Sequence, residues 1–116
     1  MDLLTQKLGY QFKNLSLLVQ AMTHPSRASE HRNEPADNQR LEFLGDAVLQ
    51  VILTKHLYCS LPDDAEGSLT KIRASLVSKQ ALAACARRLG LGEYLRLGKG
   101  EEGTGGRERD SNLADA

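Results

Sequence analysis

Several features that are absent from this sequence limit the classes of protein to which it can belong. Fifteen Lys and Arg balance fifteen Asp and Glu, so there is no net charge. Nucleic-acid binding would therefore need a local basic patch or another module. No apolar run approaches the roughly 18 residues of a membrane-spanning helix. Residues 1–4 lack the basic and apolar segments of a signal peptide, and we expect a cytoplasmic protein with no membrane contact.

Cysteine, histidine and phosphate-loop patterns give further exclusions. The two cysteines, Cys59 and Cys85, have no metal-type spacing, and in their apolar surroundings they are expected to be buried thiols in a reducing compartment. No two of the three histidines have a ligand spacing, which argues against a carboxylate-bridged metal bundle with redox chemistry. The glycine-rich run 98–106 follows no strand and lacks a Gly-Lys-Ser/Thr ending, which argues against a phosphate-binding loop.

The patterns that are present are helical. No strand-like alternation of useful length occurs, so the sequence predicts one all-α domain over residues 1–116. Start and stop signals divide the chain into elements. The predicted elements are a helix ended by Gly9, a helix capped by Asn14, a surface loop over 27–38, a long helix over 38–58 capped by Asp37 or Asn38, a helix from Asp63 with Glu66 as its capping-box acid, a helix capped by Ser78 and closed by Gly90, a flexible loop over 98–106, and a final helix capped by Ser111.

The long helix over 38–58 contains the sharpest chemical signal. Its apolar residues cover nearly the whole circumference, so it is expected to be buried. Glu42 and Asp46 are four residues apart and share one face of this helix. Two adjacent carboxylates on an apolar stripe repel each other and are costly to desolvate. A bound cation removes both costs, and hard oxygen ligands favour Mg²⁺ or Mn²⁺.

Simpler explanations exist for some acids. Glu42 could serve only to interact with the helix dipole. This explanation suits Asp46 less well, because Asp46 lies two turns into the helix. Glu66 could be only a capping-box acid. Asp115 could be only an acid of a first helical turn, and spacing alone singles out neither Glu66 nor Asp115.

Several ordered motifs closely resemble the ribonuclease III family along essentially the whole chain. Residues 38–49, Asn-Gln-Arg-Leu-Glu-Phe-Leu-Gly-Asp-Ala-Val-Leu, resemble its signature. The other matching segments are Tyr10, Phe12, Asn14, Leu17 and Leu18, Ala21, Thr23-His24-Pro25-Ser26, Glu66-Gly67-Ser68-Leu69-Thr70, Arg73-Ala74-Ser75-Leu76-Val77, Leu97-Gly98-Lys99-Gly100-Glu101, Gly105-Gly106 and Ser111-Asn112-Leu113-Ala114-Asp115-Ala116.

The resemblance implies an all-helical, homodimeric nuclease domain. Such a domain cleaves double-stranded RNA with Mg²⁺, as in the processing of rRNA and mRNA precursors, and leaves 5′-phosphate and 3′-hydroxyl ends. By the resemblance, Glu42, Asp46 and Asp115 match metal-site acids, and Glu42 and Asp46 are catalytic. Glu66 matches an accessory acid of the cleft, and Phe43 matches an aromatic residue that packs into the partner subunit.

The sequence departs from the family pattern in two places. Gln39 occupies a position where the family usually has an accessory Glu. The family also has a catalytic glutamate three residues after the aspartate matched by Asp115, at position 118, whereas the sequence ends at Ala116. We therefore expect a nuclease domain without the end of its last catalytic helix and without a double-stranded-RNA-binding domain, and low activity from this chain alone.

Two functional hypotheses follow from different classes. The leading one is an endoribonuclease III nuclease domain. The alternative is a non-catalytic dimerisation or RNA-binding module on the same fold, which would bind duplex RNA without cleaving it. The presence of Glu42, Asp46, Glu66 and Asp115 favours the nuclease, because a module without catalysis gains nothing from acids that face an anionic substrate.

Overall fold

The computed structural model describes residues 1–31 and 36–116 and is all-α. Among these residues there is no β-strand, and Thr23 and Arg96 form an isolated parallel bridge. Two 3₁₀ turns, Leu91–Tyr94 and Gly106–Glu108, accompany the helices. The helices are α1 (Asp2–Leu8), α2 (Leu15–Ala21), α3 (Pro25–Glu30), α4 (Gln39–Ser60), α5 (Glu66–Leu76), α6 (Lys79–Leu89), α7 (Lys99–Gly103) and α8 (Asp110–Asp115).

The buried core lies to one side of the long helix α4. It joins α1, α2, α6, α8 and the segment before α7. From α4 only Leu57 is buried, and the chain measures 51 × 32 × 23 Å. In the described part of the chain, no helix is long and apolar enough to cross a membrane. The core residues are Leu4, Leu18, Met22, Ala83, Ala86, Leu95, Leu97 and Leu113.

Several predicted helix ends are confirmed by local hydrogen bonds. The Ser16 N–H donates to Asn14 Oδ1 over 3.1 Å, which caps α2. The Ala81 N–H donates to Ser78 Oγ over 3.1 Å, which caps α6. Gly9 and Gly90 close α1 and α6 with φ of 65° and 67°, a left-handed conformation that glycine adopts without a steric cost.

Loss of the α6 cap gives a direct stability prediction. Ser78→Ala is expected to lower the free energy of unfolding by about 1 kcal/mol, because the Ala81 N–H loses its partner. Denaturant unfolding measures the change. Ser111→Ala is the matched control, since no side chain caps α8, and it should have little effect. Equal losses in the two variants would contradict the assignment of Ser78 as a cap.

The two predicted loops are wrong in part, because short helices occur there. Pro25 does end α2, but it is also the first residue of α3, where its fixed φ suits a helix. The Ser26 N–H donates to His24 Nδ1 over 3.0 Å and caps α3. Within the predicted loop 98–106, residues Lys99–Gly103 form α7. Of the predicted loop 27–38, residues 32–35 lie outside the described part.

Two predicted caps are also wrong. Helix α5 begins at Glu66 and not at Asp63, because residues 61–64 form a turn closed by the Asp64 N–H and the Leu61 carbonyl. Glu66 is therefore the first helical residue and not a capping-box acid. Helix α8 begins at Asp110 without a side-chain cap, and Asp110 instead forms an ion pair with Arg87 of α6.

The predicted burial of α4 is wrong for the single chain. Large apolar residues on α4 are well exposed, with Phe43 at 84% and Val51 at 67%. The sequence shows apolar residues all round this helix, but the remainder of the chain covers only one side of it. Both cysteines are exposed as well, because they lie on the outer sides of α4 and α6. We name the exposed set the apolar α4 face: Phe43, Leu44, Val48, Val51 and Ile52.

Candidate functional site

The start of α4 is held firmly against α2. The Asn38 side chain is buried, and its Nδ2 donates to the Ala21 carbonyl over 3.1 Å. The Asn38 N–H donates to the Thr23 carbonyl over 2.9 Å. The Gln39 N–H donates to Asp37 Oδ1 over 3.0 Å, so Asp37 satisfies a free donor of the first turn. These bonds fix the direction in which Glu42 projects one turn later.

Glu42 and Asp46 lie on the side of α4 that faces the chain. Both share this side with Leu49 and Leu53, which are partly buried. The apolar α4 face occupies about the other half of the circumference. The acidic pair and the exposed apolar residues are therefore on different sides of one helix.

Helix α8 brings Asp115 to Glu42. The pKa of the Glu42 carboxyl is raised above its ordinary value, first by partial desolvation and then by the Asp115 charge and a hydrogen bond with Asp115. The Asp46 charge is a smaller cause. The nearby negative charges and the partial loss of water both disfavour the ionised form of Glu42. The Glu42 side chain is nevertheless largely exposed, so solvent reaches the site.

These acids fit a divalent cation by charge and donor type. Carboxylate oxygens suit Mg²⁺ and Mn²⁺, and a bound cation would offset the repulsion between these acids. Among residues 1–31 and 36–116, however, no three His, Cys, Asp or Glu side chains already stand in a metal-binding geometry. The structure thus shows a close pair, Glu42 and Asp115, with Asp46 near enough to influence the pKa of Glu42.

Glu66 is not among the groups that act on the pKa of Glu42. Glu66 begins α5 and lines a cavity of about 580 Å³ between α5 and the end of α4. Leu57 lines the same cavity and lies about 16 Å along the helix axis from Asp46. Gln39 is exposed in the first turn of α4, and Phe43 is exposed next to Glu42 in sequence.

Three arginines, Arg87, Arg107 and Arg109, form ion pairs with acids of the same chain. Arg107 donates to Glu102, and its Nη1 also donates to the Gly92 and Leu95 carbonyls over 2.7 Å each. Arg87 pairs with Asp110, and Arg109 pairs with Glu101. These pairs join α6, α7 and α8. We therefore treat these three arginines as structural groups around the site.

Two asparagines support the acids; the sequence predicted Asn38 only as a possible helix cap and assigned no role to Asn112. Asn38 holds the start of α4, and Asn112 bridges α8 to the segment that precedes it. Asn112 is buried although its side chain is polar. An asparagine beside a core leucine, Leu113, was the available signal, because a buried amide needs partners for both its donors.

Comparisons with known proteins agree with this all-helical, acid-bearing domain. A family model described as Ribonuclease-III-like matches residues 14–116. Ribonuclease 3 of Caldanaerobacter subterraneus is 54% identical over 113 residues, which cover 97% of this chain and 50% of the relative. Ribonuclease 3 of Desulforamulus reducens is 55% identical over 114 residues, which cover 97% of this chain and 46% of the relative.

Solved structures give the same result. Two structures of the nuclease domain of ribonuclease III from Campylobacter jejuni match with TM-scores of 0.89, at 42% and 41% identity. They cover 97% and 99% of this chain, and 75% of each solved chain is matched. One of them is described as flexible in a region involved in dimer formation of that domain. The fold is that of a helical nuclease domain.

The chain belongs to the ribonuclease III family, as the resemblance of its sequence motifs predicted. It spans about half the length of the curated relatives that it matches.

The Glu42–Asp115 contact predicts a pH-dependent effect on stability. Because the pKa of Glu42 is raised by folding, the folded state loses stability as the pH rises from the ordinary value of 4.5 through the raised value. Without metal at pH 7, Glu42→Gln is expected to stabilise the chain by about 0.5 kcal/mol or less. Below pH 4.5 this difference should vanish, because Glu42 is then protonated in both states.

Denaturant unfolding at pH 4 and pH 7 in the presence of EDTA measures this difference. Glu93→Gln is the control, since Glu93 is exposed on the turn that follows α6 and is not among the groups that act on Glu42. A destabilised Glu42→Gln variant at pH 7 would contradict the repulsive contact.

Proposed function

We propose that this chain is the nuclease domain of an endoribonuclease that hydrolyses double-stranded RNA with a divalent cation. Mg²⁺ is the proposed cofactor, and Mn²⁺ is expected to replace it. The observation that carries the proposal is the meeting of Glu42 on α4 with Asp115 on α8, in a chain whose relatives are named ribonuclease 3. These two residues are far apart in sequence, so it is the fold that brings them together.

Glu42, Asp46 and Asp115 are the proposed ligands of the cation, and Glu42 and Asp46 are the proposed catalytic acids. When bound, a divalent cation lowers the pKa of a water molecule and neutralises negative charge on the phosphate. The chain must supply three oxygen-donor side chains with a net negative charge. Protons compete with the cation for the Glu42 carboxylate, so the affinity for the cation should fall as the pH is lowered towards the pKa of Glu42.

Duplex RNA is the proposed substrate because an A-form duplex is recognised mainly by its shape and backbone. Because the chain has no net charge, little non-specific attraction to the RNA backbone is expected from its overall charge. Products with 5′-phosphate and 3′-hydroxyl ends, and a role in processing rRNA and mRNA precursors in the cytoplasm, belong to the same proposal.

A second copy of this chain is the proposed protein partner. Five large apolar residues remain exposed on one side of α4, with Phe43 at 84%. A monomer rarely leaves such a contiguous apolar surface in water. A homodimer through the apolar α4 face would cover it, with Phe43 packed into the partner. Glu66 is proposed as an accessory acid of the cleft in the assembled protein.

The whole protein is proposed to continue α8 beyond Ala116, with a further acid three residues after Asp115. This further acid is the one that the resemblance to ribonuclease III implies at position 118. We expect the 116-residue chain alone to cleave poorly. A chimera that continues it with the matching segment of the Caldanaerobacter subterraneus relative is therefore the form to assay beside it.

The proposed substrate class is tested by offering three substrates of one sequence. A long RNA duplex, either of its single strands, and the DNA duplex are incubated with Mg²⁺ and the chimera. Only the RNA duplex is expected to be cut, and its products should be substrates for a 5′-phosphate-dependent exonuclease. Cleavage of single-stranded RNA at the same rate would contradict the proposal. Binding of the duplex without cleavage would favour the non-catalytic module.

A further inference from the structure

We propose that Asn112 is a positioning residue, which holds α8 at the angle that presents Asp115 to Glu42. This inference rests on the proposed function, because the proposed function is what makes Glu42 and Asp115 ligands of a cation. Asn112 itself is not proposed to contact the RNA or the cation. Asn112 acts by joining α8 to α7 and to the turn between them.

The Asn112 amide uses both of its donors on this segment. Its Nδ2 donates to Glu101 Oε1 over 2.9 Å and to the Gly106 carbonyl over 2.9 Å. The residue is only 7% exposed, so water does not readily replace these partners. The hydrogen bond from Asn112 is also the largest cause of the lowered pKa of Glu101, which keeps this acceptor ionised. A charge-assisted bond of this kind is stronger than a neutral one.

Helix α8 depends on such contacts for its orientation. It has six described residues and no side-chain cap, and a helix this short is not stable by its own hydrogen bonds. Asn112 precedes Asp115 by three residues, so both side chains lie on neighbouring parts of one helix surface. A tilt of α8 about its buried Leu113 would therefore move Asp115 relative to Glu42.

The partners of Asn112 are themselves fixed. The Gly98 N–H donates to Ser26 Oγ over 2.9 Å, and the Lys99 N–H donates to Glu30 Oε2 over 2.8 Å, so the start of α7 is bonded to α3. Gly106 lies so close to Glu101 that an added Cβ would be 2.5 Å from Glu101 Cγ. This close approach lets one amide reach both partners.

The test measures metal affinity and α8 stability without RNA. Asn112→Leu keeps the approximate side-chain size and removes both hydrogen bonds. We expect its dissociation constant for Mn²⁺, measured by isothermal titration calorimetry, to rise about tenfold, as for losses of groups that orient metal ligands. Amide hydrogen exchange of residues 113–116 should become faster in the same variant.

Four further variants keep the result specific. Arg109→Gln removes the ion pair that Arg109 forms with Glu101, and it should leave Mn²⁺ affinity closer to the wild type than Asn112→Leu does. Glu101→Gln retains an oxygen for the Asn112 amide and is expected to keep Mn²⁺ affinity closer to the wild type than Glu101→Leu does. Glu102→Gln is the matched control, because Glu102 lies beside Glu101 on α7 but pairs with Arg107 and not with α8. It should leave Mn²⁺ affinity unchanged. If Asn112→Leu does not fold, the Glu101→Gln and Glu101→Leu pair decides the question.

Each outcome separates this inference from the proposed function. Unchanged Mn²⁺ affinity in folded Asn112→Leu, or in Glu101→Leu, would overturn the positioning role, as would unchanged exchange of the α8 amides. Asp115→Asn is measured in parallel. If Asp115→Asn leaves Mn²⁺ affinity at the wild-type value, then the assignment of Asp115 as a ligand fails, and the inference falls with it.

Discussion

Asp46→Asn is expected to lower the rate of Mg²⁺-dependent cleavage of duplex RNA by about a hundredfold or more. The substitution keeps the side-chain size but removes one of the negative charges proposed to hold the cation. Because duplex recognition depends on shape and backbone, the variant should still bind the duplex nearly as well as the wild type. Single-turnover cleavage assays and equilibrium binding in Ca²⁺ separate these two effects.

Asp63→Asn is the matched control for this prediction. Asp63 is also an exposed aspartate, but it lies beyond the far end of α4, whose residue 60 is about 20 Å from Asp46 along the helix axis. Its cleavage rate should remain within about twofold of the wild type. A comparable loss in both variants would mean that the effect reflects general charge and not a metal site at Asp46.

Val51→Glu is expected to weaken dimerisation of the chain by about thirtyfold or more. Val51 is 67% exposed at the middle of the apolar α4 face. In a dimer formed through this face, a glutamate there would be buried without a partner, and residues at the centre of an interface commonly contribute about 2 kcal/mol or more. Sedimentation equilibrium over a range of concentrations measures the change in dissociation constant.

Leu3→Glu is the matched control for dimerisation. Leu3 is 64% exposed, nearly as much as Val51, but it belongs to α1. It should leave the dimer dissociation constant unchanged. If Leu3→Glu dissociates the dimer and Val51→Glu does not, then the interface lies elsewhere and the apolar α4 face has another occupant.

The longer helices could be predicted from the sequence because their signals are local. Pro62 ends the run that forms α4, and Ser78 and Gly90 bound α6 with standard cap chemistry. Helices α3 and α7 could not be predicted in this way. They have six and five residues. The Gly98 and Lys99 N–H groups at the start of α7 donate to the Ser26 and Glu30 side chains of α3, and these bonds hold the two helices together across about 70 residues of sequence.

The candidate site was predictable only in part. The spacing of Glu42 and Asp46 on one helix face follows from helix geometry. The approach of Asp115 to Glu42 does not follow from helix geometry, because no local rule relates residues so far apart in sequence. The resemblance to ribonuclease III was the only reason to expect these two acids in one site. The exposure of α4 in the single chain was not predicted. An apolar pattern indicates that a helix is buried, but it does not show whether residues of the same chain or of another chain bury it.

The most direct test of the central claim is a crystal structure of this chain grown or soaked with Mn²⁺, with anomalous diffraction recorded to locate the metal. We expect an anomalous peak coordinated by carboxylate oxygens of Glu42, Asp46 and Asp115. A peak bound elsewhere on the chain, or none at these acids at a Mn²⁺ concentration that supports cleavage, would contradict the account.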